Sequence, residues 1–286
     1  MADLVFEAIG TRWEITTPAP LHPDVRLAVA NRIEAFDQAY SRFRPDSLVS
    51  TIARSAGTWV LPSDAAPLLD LYRRLYLATG GAVTPLVGRA LADLGYDAAY
   101  SLRPTGRTTA VPAWDDVLDW DGTRLTTSAP VLLDLGAAGK GYLVDLVAEV
   151  LAGAGVTDVV IDAGGDLRHR GGDEVRVALE HPRDPRQAIG VVVLHEAALC
   201  ASAPNRRTWA PGVHHVLDGR TGQPTHDVLA TWALAPTAMV ADGVATALFF
   251  AAPEDLVEEF GVSYARVRPD GRAEWSADLP GEIFTA

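Results

Sequence analysis

Asp242 and Thr246 stand four residues apart in a nearly all-apolar run over residues 238–251. At that spacing both side chains fall on one face of a helix. An aspartate set among Met239, Val240, Val244 and Leu248 must be paired or hydrogen-bonded, because a lone buried carboxylate is strongly disfavoured. A hard cation would satisfy both oxygens, and magnesium commonly takes one or two protein carboxylates and fills its octahedron with water and substrate phosphates. The alternative is a solvent-facing carboxylate near a helix start, with the threonine bonded back to a main-chain carbonyl.

His214 and His215 precede the turn Asp218-Gly219-Arg220-Thr221-Gly222. Neighbouring side chains on a strand point to opposite faces, so only one of the pair can enter a given site. A neutral histidine there would take a proton from an attacking hydroxyl near neutral pH. The alternative is an exposed strand pair. Asp162 and Asp166 flank Gly164-Gly165 and read as turn formers.

The elements that must position these groups centre on residues 131–171. A short apolar run at 131–135 reads as a buried strand. Gly136, Gly139 and Gly141 follow, with Lys140 among them, and then Leu143, Leu146, Val147, Val150, Leu151 and Ala154 recur at helical spacing. Gly153 and Gly155 close that helix. Val159, Val160 and Ile161 form the next strand, and Gly164-Gly165 turns the chain sharply. Free N–H groups and the positive end of a helix dipole at the glycine-rich loop suit a bound phosphate. A tight strand-to-helix turn that needs small residues is the other reading. The loop is not a Walker A motif, since Lys140 is followed by Gly141, and its glycines do not fit G-x-G-x-x-G.

Elsewhere, residues 5–16 alternate as one strand, and a Pro-rich joint at 18–23 leads into a helix burying Val25, Val29, Ile33 and Phe36. Ser47 caps a turn into residues 48–52. Ser63 or Asp64 reads as the cap of a helix that Thr79-Gly80-Gly81 ends, and a further helical piece runs from Thr84-Pro85 to Leu94, where Gly95 stops it. Residues 96–125 read as an irregular arm with two short strands rather than a linker, because Trp114 and Trp120 must be covered. Strands follow at 174–180, 189–195, 199–202, 214–218 and 228–235, with a hairpin around Pro269-Asp270-Gly271 in the tail from 262 to 286. Runs of strands between helices favour an α+β architecture with mixed or antiparallel sheets and packed helices.

The chain has 286 residues, which suits one large domain or two closely joined lobes. Its hydrophobic fraction of 48% supports a sizeable core, and a net charge of −13 argues against nucleic acid as partner. Cys200 is the sole cysteine, so no internal disulfide or cysteine zinc site can form. No run approaches the ~18 apolar residues of a membrane helix. The first residues carry no basic, apolar leader, and the expectation is a soluble cytoplasmic protein.

Seven segments, in this order, resemble the FAD:protein FMN transferase (ApbE-like) family. They are Ile9-Gly10-Thr11-Arg12-Trp13; Ser41-Arg42-Phe43 with Ser47; Thr79-Gly80-Gly81-Ala82-Val83-Thr84-Pro85; Asp134-Leu135-Gly136-Ala137-Ala138-Gly139-Lys140-Gly141-Tyr142; Gly164-Gly165-Asp166; His215-Val216-Leu217-Asp218 with Thr221-Gly222 and Pro224; and Ala241-Asp242-Gly243 with Thr246. The resemblance implies a fold related to the tunnelling fold, bound FAD, and Mg2+ at its pyrophosphate. It implies transfer of FMN to a Thr or Ser hydroxyl of a target flavoprotein with release of AMP; some relatives instead hydrolyse FAD to FMN and AMP, and a non-catalytic FAD-binding protein is a third expectation. Carried over by position, Asp242, Thr246 and a backbone oxygen near Ala137 look like metal ligands. Asp134 and Lys140 look like FAD neighbours, and Ile9, Phe43, Ala82, Val83, Thr84 and Leu217 like walls of the nucleotide cleft. His215 matches the family's histidine and is the candidate base. The chain departs from the family at Val83-Thr84, where Phe-Asp is frequent, and at Ala201-Ser202-Ala203-Pro204-Asn205, where Thr-Ser-Gly-Asp-Tyr is the pattern.

Overall fold

The alternating strands build one eight-stranded sheet whose spatial order is the chain order. The strands are β1 (Ala2–Ala8), β2 (Thr11–Thr17), β3 (Val159–Asp162), β4 (Asp166–Arg170), β5 (Ala198–Ser202), β6 (Ala230–Ala235), β7 (Ser263–Val267) and β8 (Ala273–Trp275). Every neighbouring pair is antiparallel. The computed structural model describes residues 1–284. Helices α1 (Pro23–Tyr40), α2 (Ala66–Ala78) and α3 (Gly139–Gly153) lie in the connection from β2 to β3, and α4 (Ala238–Ala247) and α5 (Pro253–Phe260) in that from β6 to β7.

The period of two along each strand sorts side chains to two cores. Ala198, Cys200, Ala233, Ala235 and Tyr264 face the helices, with Leu143, Val147 and Leu151 of α3 fully buried there. Each such aliphatic side chain contributes about 1.5–3 kcal/mol by leaving water. Leu199, Trp232, Leu234 and Val267 face the other way, onto Leu179, Val192 and Leu194. Those three belong to a second, three-stranded sheet of Val175–Glu180, Ala188–Leu194 and Gly281–Ile283. With both faces covered, β6 is buried at every residue, and its one polar side chain, Thr231, donates to the Ala245 carbonyl at 2.6 Å.

The α+β architecture is as expected, and several local readings are corrected. Residues 5–16 are not one strand: Ile9 (φ 44°) and Gly10 (φ 76°) form a two-residue turn between β1 and β2. Positive φ at both central residues is the hairpin geometry that matches strand twist. Residues 131–135 bury Val131, Leu133 and Leu135 but pair with no strand; the Asp134 N–H donates instead to the Pro85 carbonyl at 2.7 Å. Neither Ser63 nor Asp64 caps α2, whose cap position is Ala65; Asp64 accepts from Arg32 and from Tyr40 Oη. Ser47 does cap Leu48–Ile52, accepting from the Ser50 N–H at 3.0 Å. Residues 214–218 split into Val213–His214 and Leu217–Asp218. The tail hairpin forms as β7 and β8, while residues 285–286 of that expectation lie outside the described residues. Helix α5 was not expected, although Pro253 in its first turn, Glu254 and Asp255 behind it, and Gly261 at its end are its sequence marks. Among the described residues no helix is long and apolar enough to cross a membrane.

Candidate active site

Helices α3 and α4 approach until backbone meets backbone. A Cβ on Gly141 would lie 2.1 Å from the Ala238 carbonyl oxygen and 2.7 Å from Asp242 Cβ, so only glycine fits. The contact sets the Asp242 carboxylate at the N-terminus of α3, where Oδ2 accepts the Gly141 N–H at 2.9 Å. The positive end of the helix dipole therefore receives an anion supplied by the chain itself. Asp242 is 4% exposed, which removes the solvent-facing alternative. Thr246 does not bond back within α4; its Oγ1 donates to the Ala137 carbonyl at 3.4 Å. The Tyr72 hydroxyl accepts the Ala137 N–H at 3.1 Å and fixes that peptide.

Lys140, the chain's only lysine, is drawn into an ion pair with Asp166, whose side chain is wholly buried. The reading of Asp166 as a turn former is corrected. Asp162 makes the turn, accepting the Gly165 N–H at 2.9 Å, and Asp166 Oδ1 is left buried without a partner. Burial works against the Lys140 charge, but the carboxylates of Asp166 and Asp242 outweigh it and hold the ammonium above its ordinary pKa. Burial first, and then the Asp166 charge, push the Asp242 carboxyl well above the usual range. A cation at this point would reverse that push.

The donors fit magnesium. Asp242 Oδ1, Thr246 Oγ1 and the Ala137 carbonyl are all hard oxygens, with one carboxylate among them. Among the described residues no group of three or more His, Cys, Asp or Glu is placed to hold a metal ion.

His214 ends a short strand and His215 lies in the bend that follows it, so the two have different surroundings. His214 is buried against the Thr225 carbonyl, with Nε2 2.8 Å from it, and serves the fold. His215 has no partner at Nδ1. Burial, and next the Arg207 charge, lower its pKa to about 3, so the ring is unprotonated at neutral pH. Lys140 lowers it further, and Arg207 also acts on Asp242, so these charges share one region. Arg207 is held by Tyr96, its Nη1 donating to the phenol oxygen at 2.8 Å.

The remaining positions gather nearby loops. Asp134 is bound by Arg42, with Nε to Oδ2 at 2.5 Å, and accepts the Gly136 N–H at 2.8 Å. Phe43 and Leu217 share an apolar cluster with Ala90, Leu91 and Tyr96. Ala82, Val83 and Thr84 are buried; the Ala82 carbonyl accepts the Gly219 N–H at 2.8 Å, and Thr84 Oγ1 accepts from Leu86. Ile9 lies in the β1–β2 turn and packs against the main core, two residues before Thr11, whose Oγ1 fills the space a Cβ on Gly164 would take. Arg42, Arg207 and Tyr96 were given no role from sequence, and Asp166 was given the wrong one. For Asp166 the signal was present: a lysine in a glycine-rich loop against an apolar helix needs a carboxylate. A groove of about 810 Å³ between α1 and residues 46–62 is lined by none of the site residues.

The antiparallel sheet with helices packed on one face is also the fold of solved flavin transferases. The flavin transferase ApbE from Vibrio cholerae superposes with a TM-score of 0.77 at 20% identity, covering 96% of this chain and 97% of that one. The ApbE protein from Thermotoga maritima gives 0.81 at 23% identity over the same shares. A family model for the ApbE family matches residues 9–264, and the chain belongs to that family. The FAD:protein FMN transferase of Klebsiella pneumoniae is 26% identical over 93% of this chain and 83% of its own length. That of Treponema pallidum is 28% identical over 86% of this chain and 78% of its own.

Proposed function

We propose that this protein is a magnesium-dependent FAD:protein FMN transferase, moving FMN from FAD to a Thr or Ser hydroxyl of a target flavoprotein with release of AMP. Family membership supports the reaction class. The observation that carries the site is the Thr246 hydroxyl 3.4 Å from the Ala137 carbonyl, one helical turn from a buried Asp242. Asp242, Thr246 and the Ala137 oxygen would hold the ion, which when bound would offset charge on the pyrophosphate.

The chain's own residues do the rest. Asp242 Oδ2 stays anchored on the Gly141 N–H, so the oxygen set is preorganised. Lys140 and Asp166 fix the first turn of α3. His215, unprotonated and unpartnered at Nδ1, takes the proton of the acceptor hydroxyl as its oxygen bonds to the FMN-side phosphorus. The bond from that phosphorus to the bridging oxygen breaks, AMP departs with the bridging oxygen and its electron pair, and the proton passes from His215 to solvent. Phe43 and Leu217, with the segment Ala82, Val83 and Thr84, would border the nucleotide.

Incubation with FAD, magnesium and a candidate acceptor tests this by mass spectrometry of the acceptor. Added FMN is the expected result. FMN and AMP formed equally fast without acceptor mark a hydrolase, and FAD bound but unchanged marks a carrier.

A further inference from the structure

The chain contains 23 arginines, and among the described residues 14 of them lie within 4 Å of a carboxylate. Of the nine that do not, eight are exposed to solvent and need no partner; Arg207 alone is half-buried. Its one side-chain partner is neutral, the Tyr96 hydroxyl at 2.8 Å. Tyr96 is itself fixed: its ring stacks on Trp209 at 5.6 Å and meets Phe43 edge-on at 5.3 Å, and its carbonyl accepts from Arg42 at 2.6 Å. Thr208 pairs with His214, so the antiparallel register sets Arg207 across from His215. A partly desolvated guanidinium is thus held beside the one histidine with a buried, unpartnered ring nitrogen.

We propose that Arg207 is the clamp for the FMN-side phosphate, its free nitrogens meeting the two non-bridging oxygens of the phosphorus that is transferred. This rests on the reading of the protein as a flavin transferase. The side of the reaction follows from geometry. In an in-line displacement the base stands with the attacking hydroxyl, opposite the leaving group. A cation held beside the base therefore reaches the equatorial oxygens of the central phosphorus rather than the departing AMP. A guanidinium fork matches two such oxygens in a bidentate pair. That phosphate stays on the flavin after transfer, so the clamp should also grip the product FMN and ignore riboflavin, which lacks the phosphate. The carbonyl of Arg207 and the ring of His215 belong to the same corner, so the clamp and the base are positioned together.

Flavin fluorescence titration of the whole chain with FMN and with riboflavin tests this. Arg207→Ala is expected to weaken FMN about 10- to 100-fold, the range of a hydrogen bond to a charged group, and to leave riboflavin unchanged. Arg207→Lys should fall between, keeping charge without the fork. Tyr96→Phe keeps the ring but frees the guanidinium, and should weaken FMN by a smaller factor. FMN affinity unchanged in Arg207→Ala overturns the assignment, as does equal loss of FMN and riboflavin, which marks a structural role. If Arg207→Ala does not fold, Arg207→Gln is read the same way. Wild-type protein that binds neither FMN nor FAD fails at the earlier step and removes the transferase reading itself.

Discussion

Gly141→Ala isolates the contact that assembles the site. The added methyl would sit 2.1 Å from the Ala238 oxygen, where ordinary contact begins at 3.4 Å. Helices α3 and α4 must therefore separate by roughly 1 Å, against rigid backbone rather than a flexible side chain. Overpacking of this kind costs about 1–3 kcal/mol, and in a chain of this size each kcal/mol lowers Tm by about 2 °C. The expected melt is thus about 2–6 °C below wild type. The same shift draws Asp242 from the Gly141 N–H and Thr246 from the Ala137 carbonyl, so calorimetric magnesium binding should weaken at least tenfold. Gly153→Ala is the internal control, in the same helix, with nothing within 4 Å of the new Cβ. There alanine should be neutral or stabilise by up to about 1 kcal/mol. Gly141→Ala melting at or above wild type with its magnesium affinity intact would refute the argument that this close approach holds the oxygens in place.

His215→Ala should still bind FAD but transfer FMN about 10²–10⁴-fold more slowly, measured as single-turnover FMN addition to acceptor; a wild-type rate removes it as base. Asp242→Ala should lose its response to magnesium, read by titrating the ion against FAD turnover; an unaltered response would exclude Asp242 as a ligand. Lys140→Met strands the Asp166 charge and should cost about 3–5 kcal/mol in denaturant melts, while Lys140→Met with Asp166→Leu should recover much of it; equal loss in both would show that the pair is not the cause. For His215 the folded pKa is about 3, below the ordinary 6.5. Between those values the unfolded chain binds a proton that the folded one does not, so wild-type stability falls as pH drops through that window. His215→Gln should flatten that slope, and identical slopes in Tm against pH would contradict the depressed value.

Periodicity showed the strands and helices because both cores are built on it. Residues 228–235 read as a strand, and 230–235 form one that is buried at every residue. Asp242 and Thr246 were legible as a pair because one helical turn is a local distance, and α4 supplies it. What the spacing could not show was the partner surface. Ala137 and Gly141 meet α4 from about a hundred residues away, through a contact fixed only by the packing of α3. Residues 131–135 look like a strand because burial alone produces the pattern, whereas a strand also needs a partner edge. Residues 5–16 read as one strand because the turn at Ile9 and Gly10 takes up only two residues. Arg207 is invisible in the sequence, since an unpaired arginine differs from a paired one only once every neighbour is in place.

The single lysine has a practical corollary. Acylating reagents such as succinimidyl esters or acetyl phosphate normally spread over many lysines; here the one lysine amine among the 286 residues is that of Lys140. A label at Lys140 would cancel the charge that Asp166 depends on, so one adduct, counted by peptide mapping, would report how often the first turn of that helix opens.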